Sequence, residues 1–283
     1  MDIIFAMLTQ GLLFFPLVLG IYISYVILQT TDMTIDGSFV LGAGVFARLA
    51  TNDIHPVISM FAAVLAGVIA GILVSAIQAK NKVNSLIAGI LALFVLYSFN
   101  LVLMGRPNIS LLGHTTLGWN SIAIIVLVLT LLVGLLVISR FGMVLRAFGE
   151  NQNLLKKLGK SVELYRFTGL ALSNALVALC GALTAQVNGY ADIGMGFGVT
   201  LTGIGAVVIG RHLVALIPQK RSFSIRHELG GCFLGVSLYF LAINLFLSMG
   251  INTLHIKMLL GVILVFLLRS TIKQQITTLT NHF

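Results

Sequence analysis

Residues 146 to 159 read RAFGENQNLLKKLG, a polar stretch with glycines near both ends, set in the middle of an otherwise oily chain. On a short helix Leu154, Leu155 and Leu158 fall on one face, and Lys156 and Lys157 fall on another. Asn151 is placed to cap the start of that helix and Gly159 to close its end. A plain connector between two membrane spans needs no helix of its own, so the stretch predicts a docking piece for a soluble partner. Taken alone, it also reads as a solvated loop with a chance helical turn.

The rest of the chain explains why such a piece stands out. Of 283 residues, 58% are hydrophobic and 9% charged, and the mean hydropathy is +1.07. Soluble domains carry about 25% charged residues, so this is an integral membrane protein. The apolar runs extend over residues 1–283, which predicts one membrane domain with no soluble domain beside it. The formal net charge of +9 does not point to nucleic acid, because the basic residues lie in loops between spans, where topology accounts for them. Cys180 and Cys232 lie in separate apolar segments, as packing residues rather than a disulfide or metal pair. Met1 and Asp2 lead straight into an apolar run without a basic start, so no cleavable leader is expected.

In chain order, full spans are expected at about 4–28 (with Pro16 inside), 57–77, 86–103, 122–138, 167–187, 231–247 and 256–268. Trp119 marks a water interface before the 122–138 span. The 167–187 span is rich in small residues (Gly169, Ala171, Ser173, Ala175, Ala178, Gly181, Ala182), a composition that allows close helix approach and predicts a place inside the bundle. Two segments break the pattern. TTDMTIDGSF, residues 30–39, carries two carboxylates and a glycine before a short apolar run over 40–49. Residues 189–210 hold seven glycines and only a short apolar end over 201–209, followed by a polar loop over 211–228. Both read as broken helices, giving an all-α bundle of about nine crossings.

Orientation follows from the basic residues. Arg140, Arg146, Lys156, Lys157, Lys160 and Arg166 lie in the docking loop, 139–166. Arg211, Lys220, Arg221 and Arg226, then Lys80 and Lys82, then Arg269 and Lys273 fall on the same side if both broken segments cross. Arg48, Arg106 and Lys257 then fall opposite. The count predicts an outer N-terminus and a cytoplasmic docking loop and C-terminus, with Arg48, Arg106 and Lys257 as candidates for pairing with an acidic extracytoplasmic binding protein.

The two broken segments, DMTIDGSFVLGAGVFARL (32–49) and DIGMGFGVTLTGIGAVVIG (192–210), look weakly alike and would cross in opposite directions. Paired interrupted segments point to a substrate pathway, because a broken helix brings backbone dipoles and polar groups to mid-membrane. Thr31, Asp32, Thr34, Asp36, Ser38, Gly198 and Gly203 are the candidate pathway residues, with Thr30 beside them. The competing reading makes Asp32 and Asp36 helix caps at the cytoplasmic surface. Asn100, Asn188 and Asn244, in or at the ends of spans, are expected to bond neighbouring helices.

The run GMVLRAFGENQNLLKKLGKSVELYRFTGLALSNALVALCGALTAQ, 142–186, resembles the signature of permease subunits of ABC importers in the branched-chain amino-acid and ribose permease family. The likeness continues through the glycine-rich crossing ending in AVVIG and through TTDMTIDGSF. LIAGILALFVLYSFNLVLMGRPNISLL and TIDGS are similar to a branch associated with amino-acid uptake, tryptophan and other aromatic amino acids among it. The resemblance implies a pathway driven by separate ATP-binding cassette subunits and fed by a substrate-binding protein. It also implies a second permease copy, most simply a homodimer, in a bacterial inner membrane and its lipid. By position it assigns Gly149, Glu150, Asn151, Leu154, Leu155, Leu158 and Gly159 to the contact with the ATPase. Where the family often has alanines and a Gly-Ile-Asn after the Leu-Gly, this chain has Lys156, Lys157 and Gly-Lys-Ser, which bears on which ATPase fits.

Sites of other chemistry are not found in the sequence. LGKS at 158–161 resembles the end of a phosphate-binding loop, but position 154 is leucine rather than glycine and no strand precedes it, so ATP is expected on a partner and no cofactor on this chain. No HExxH or GxSxG pattern is present, no metal site is expected, and His55, His114 and His255 read as interface residues. The competing function is a secondary transporter or channel working alone, which the scarcity of deep carboxylates disfavours.

Overall fold

The computed structural model describes residues 3–79, 83–114, 116–216, 225–251 and isolated positions between 255 and 262. Its helices are α1 (Ile3–Ile21), continued by a π-helical segment (Tyr22–Ile27), α2 (Thr34–Ala50), α3 (Pro56–Ile77), α4 (Ser85–Met104) and α5 (Trp119–Ile138). They continue with α6 (Arg140–Glu150), α7 (Gln152–Lys157), α8 (Val162–Asn188), α9 (Val199–Leu216) and α10 (Ile225–Ser248). Seven of the described helical stretches are long and apolar enough to cross a membrane. The chain is therefore a polytopic α-helical membrane protein. The expected span at 256–268, Lys257 and the 269–283 tail lie outside the described residues.

Two compact units divide the chain, Leu13–Ile204 and the pair Met1–Leu12 with Gly205–Phe283. In the larger unit α8 is the central post, 27 residues or about 40 Å long. Its small side chains admit neighbouring backbones, as the composition predicted. A Cβ on Gly42 of α2 would lie 1.9 Å from the Ala178 carbonyl oxygen, and one on Gly181 would lie 1.9 Å from that of Phe39. Gly67 and Gly71 bring α3 equally close to α8, and Gly20 does so for α1. Without a hydrophobic driving force between helices in lipid, this close packing holds the unit together. In the smaller unit Gly210 and Gly235 join α9 to α10, and Asn244 Nδ2 donates to Gln10 Oε1 at 3.0 Å.

The first break is shorter than expected. Only residues 28–33 depart from the helix, so Asp36 and Ser38 stand in the first turns of α2. The second break has more structure than glycine content suggested. Residues 190–192 form a strand, β2, antiparallel to β1 (Asn108–Ser110), with Asn108 opposite Asp192. A single 3-10 turn, Ile193–Gly196, follows, and Gly198 at φ +80° admits the chain into α9. Helix α9 runs on to Leu216 and α10 begins at Ile225, so both ends of the polar loop expected over 211–228 are helical.

Candidate functional site

The docking stretch is two helices rather than one, joined at Asn151. That residue is the C-cap of α6 and the N-cap of α7, its Oδ1 accepting from the Asn153 and Leu154 amides at 3.0 and 3.1 Å. Gly159, at φ +68°, closes α7. The Lys160 amide reaches the Leu155 carbonyl and the Gly159 amide that of Lys156, the paired bonds of a Schellman end. The capping predicted from sequence is present at both termini.

The three leucines do not share one environment, contrary to the single face read from their spacing. Leu155 is 1% exposed, whereas Leu154 and Leu158 are 47% and 65% exposed. Leu155 is the residue buried against the protein, and it is the anchor. Leu154 and Leu158, four residues apart, form an apolar step beside Lys156 and Lys157. Glu150 is also exposed. Gly149 faces the other way, because a Cβ there would meet the Ile27 carbonyl oxygen at 2.0 Å.

This loop is fastened to three helices. Phe148 is fully buried, with the Arg166 guanidinium 5.9 Å over its ring. Arg166 also bonds Glu163 at 2.9 Å and the Gln78 carbonyl at 3.0 Å. Arg146 donates to the Val137 carbonyl at the end of α5 at 2.6 Å. Helix α6, which leads directly into α7, is thereby tied to the ends of α1 and α5 and to the start of α8.

The broken helices meet each other. Asp36 Oδ1 accepts from the Thr200 amide at 2.7 Å and from the Thr200 hydroxyl at 2.6 Å, and Oδ2 accepts from the Gly198 amide at 3.2 Å. A carboxylate from α2 thus caps the start of α9, where orphan amides and the helix dipole favour negative charge. Beside it, Gly37 packs on Leu93 and Leu96, so the junction stands level with the middle of α4. Asp32 caps too, but within its own segment: Oδ1 accepts from the Thr34 amide at 2.9 Å, and the side chain is buried rather than at a surface. Its Oδ2 accepts from Asn174 Nδ2 at 2.8 Å, and Asn174 Oδ1 accepts from Ser38 Oγ at 2.6 Å.

The remaining predicted positions fall outside this junction. Thr31 is exposed, its hydroxyl 3.3 Å from that of Ser85. Thr34 is buried, and Gly203 packs on Ile21. Arg48 and Arg106 are exposed. Asn174 and Thr200 were missed in the sequence, though an asparagine within a span is itself a signal of a buried partner. Asn100 does bond a neighbour, donating to the Gly37 carbonyl at 3.1 Å. His55 caps α3, accepting from the Val57 amide at 3.3 Å, and His114 lies 3.5 Å from Asp53. Among the described residues no cluster of three or more metal-ligating side chains occurs.

Glycine-packed spans, two interrupted helices joined through Asp36 and an anchored short helix define a membrane permease. Residues 3–268 match the family described as the branched-chain amino acid transport system permease component, and the chain belongs to that family. It is a permease of the ABC-importer class, as its sequence resemblance implied. An uncharacterized protein of Rickettsia prowazekii is 46% identical over 97% of this chain and 99% of its own length. A tyrosine transport system permease protein of Clostridioides difficile is 33% identical over 93% of this chain and 89% of its own. Among solved structures, PsaBC from Streptococcus pneumoniae in complex with Fab aligns at a TM-score of 0.45 and 14% identity, covering 91% of this chain and 96% of that one.

Proposed function

We propose that residues 1–283 work as one permease domain of an amino-acid importer in a bacterial cytoplasmic membrane, with the N-terminus outside and the C-terminus inside. The 139–166 loop receives ATP-binding cassette subunits, a second copy completes the pathway, and an extracytoplasmic binding protein delivers substrate near Arg48, Arg106 and Lys257. The chain itself catalyses nothing and holds no cofactor, ATP being bound by the partner. The observation that carries this reading is the pair Leu154 and Leu158, exposed on and beside a helix that Leu155 anchors and that follows directly on α6, itself fastened to the ends of α1 and α5 and the start of α8. Such a step seats in a groove of a partner, and the fastening passes the partner's motion inward. The amino-acid class is supported by the family and by the relative from Clostridioides difficile.

Purification of the tagged chain from its own cells tests the assignment. An ATPase carrying GxxxxGK[ST] should co-purify, and uptake should stop when that ATPase is inactivated. Uptake by the purified chain without any ATPase makes it a stand-alone secondary transporter or channel instead.

A further inference from the structure

A cavity of about 240 Å³ opens beside the junction of the broken helices, lined by Asp36, Gly37 and Val40 of α2, Leu93, Phe94, Tyr97 and Asn100 of α4, and Ile193, Gly196 and Phe197 of the turn before α9. Phe94, Tyr97 and Phe197 stand 67%, 43% and 68% exposed around it, an aromatic wall. Asn100 is the exception, a polar side chain only 1% exposed. Its Nδ2 is committed to the Gly37 carbonyl, which fixes the amide's orientation, and its Oδ1 has no hydrogen-bond partner among the described residues. A buried acceptor left open costs free energy unless something donates to it.

We propose that this cavity is a subsite for an aromatic side chain carrying a hydrogen-bond donor, a phenol or an indole, with Asn100 Oδ1 as the acceptor. The volume suits it, since a cavity of about 150 Å³ holds benzene. Water is a poor occupant, because it needs two to four polar partners and most of this lining is apolar. A lipid acyl chain offers Asn100 no donor. The Asp36 carboxylate already accepts from three donors and repels an anion, so the substrate's own carboxylate points away from it. An unsubstituted phenyl ring fits the same wall but leaves Asn100 unpaired, a difference on the order of tenfold or more in affinity. The physiological occupant rests on the amino-acid reading above, but the binding chemistry does not.

The test uses the full chain in lipid nanodiscs and two fluorinated probes, 4-fluorophenol and fluorobenzene, followed by fluorine NMR. Wild type should bind 4-fluorophenol saturably and at least about tenfold more tightly than fluorobenzene. Asn100→Leu should abolish that preference, and Leu93→Trp, which fills the cavity from a partly buried position in its lining, should abolish saturable binding of both. If Asn100→Leu does not fold, Asn100→Ala serves the same comparison. Equal affinities in wild type, an unchanged preference without Asn100, saturable binding that survives Leu93→Trp, or no saturable binding at all would each overturn the proposal. Tyrosine uptake by cells carrying the whole importer is measured separately: its absence beside intact probe binding rejects the amino-acid reading and leaves the subsite standing.

Discussion

Asn174 holds three groups in the middle of α8: it donates to Asp32, accepts from Ser38 and donates to the Leu170 carbonyl. Replacing it by leucine leaves a buried carboxylate oxygen and a hydroxyl without partners, at about 1 to 3 kcal/mol for each. Asn174→Leu should therefore melt well below wild type in detergent by differential scanning fluorimetry, and an unchanged melting temperature would mean the network is dispensable. Asp36 makes a different prediction, because its bonds join two segments 162 to 164 positions apart in the chain rather than closing its own helix. Asp36→Ala removes the cap from α9, worth about 0.5 to 2 kcal/mol, and loosens the junction beside the cavity. Uptake should fall severalfold or more while the ATPase rate of the complex persists, since the docking loop is untouched. Near-normal uptake would take Asp36 out of the pathway. Both carboxylates were visible in the sequence as candidates, but their partners were not. A single sequence shows that a polar group is at membrane depth, and only the packing of α2, α8 and α9 shows which donor answers it.

The same limit appears at the level of elements. The six full spans expected within the described residues, the caps of α7 and the interior place of α8 were legible, because each depends on residues near in sequence: apolar runs, Asn151, Gly159 and the small-residue stripe. The β1–β2 ribbon was not, since it pairs residues 108–110 with 190–192 and each strand alone is only three residues long. Nor was the division of labour among the leucines of α7, which depends on what the helix lies against. That division yields a sharp test. Leu154 and Leu158 are exposed, so aspartate at both should change the stability of the chain by no more than about 0.5 kcal/mol per site. If they seat in the ATPase groove, the same double change should cost about 2 kcal/mol or more in association, roughly 30-fold, read by the amount of ATPase retained on the tagged chain. Leu155→Asp differs, burying a charge at the anchor and unseating α7 itself. Equal retention by Leu154→Asp/Leu158→Asp and wild type would remove this face from the interface.

For the whole molecule, parity fixes more than any single contact. Between Arg48 at the end of α2 and Asn153 in α7 lie three helices long enough to cross, α3, α4 and α5, and if all three cross, the two positions are on opposite sides of the membrane. Between Arg48 and Arg106 lie only α3 and α4, which returns the chain to the first side. The contacts agree, with Thr31 beside Ser85 at one end and Asp53 beside His114 at the other. Parity leaves the absolute direction open, and the concentration of Lys and Arg around α7 is the ground on which that loop is proposed to be cytoplasmic. Native thiols do not obscure the measurement, since Cys180 and Cys232 are both buried. A membrane-impermeant maleimide applied to intact cells, or to spheroplasts where there is an outer membrane, should label Arg48→Cys and Arg106→Cys. Asn153→Cys should react only after permeabilisation. Labelling of Asn153→Cys alone would invert the protein and put its docking helix out of reach of any cytoplasmic ATPase. Labelling of all three from outside would mean that the helices between them do not cross.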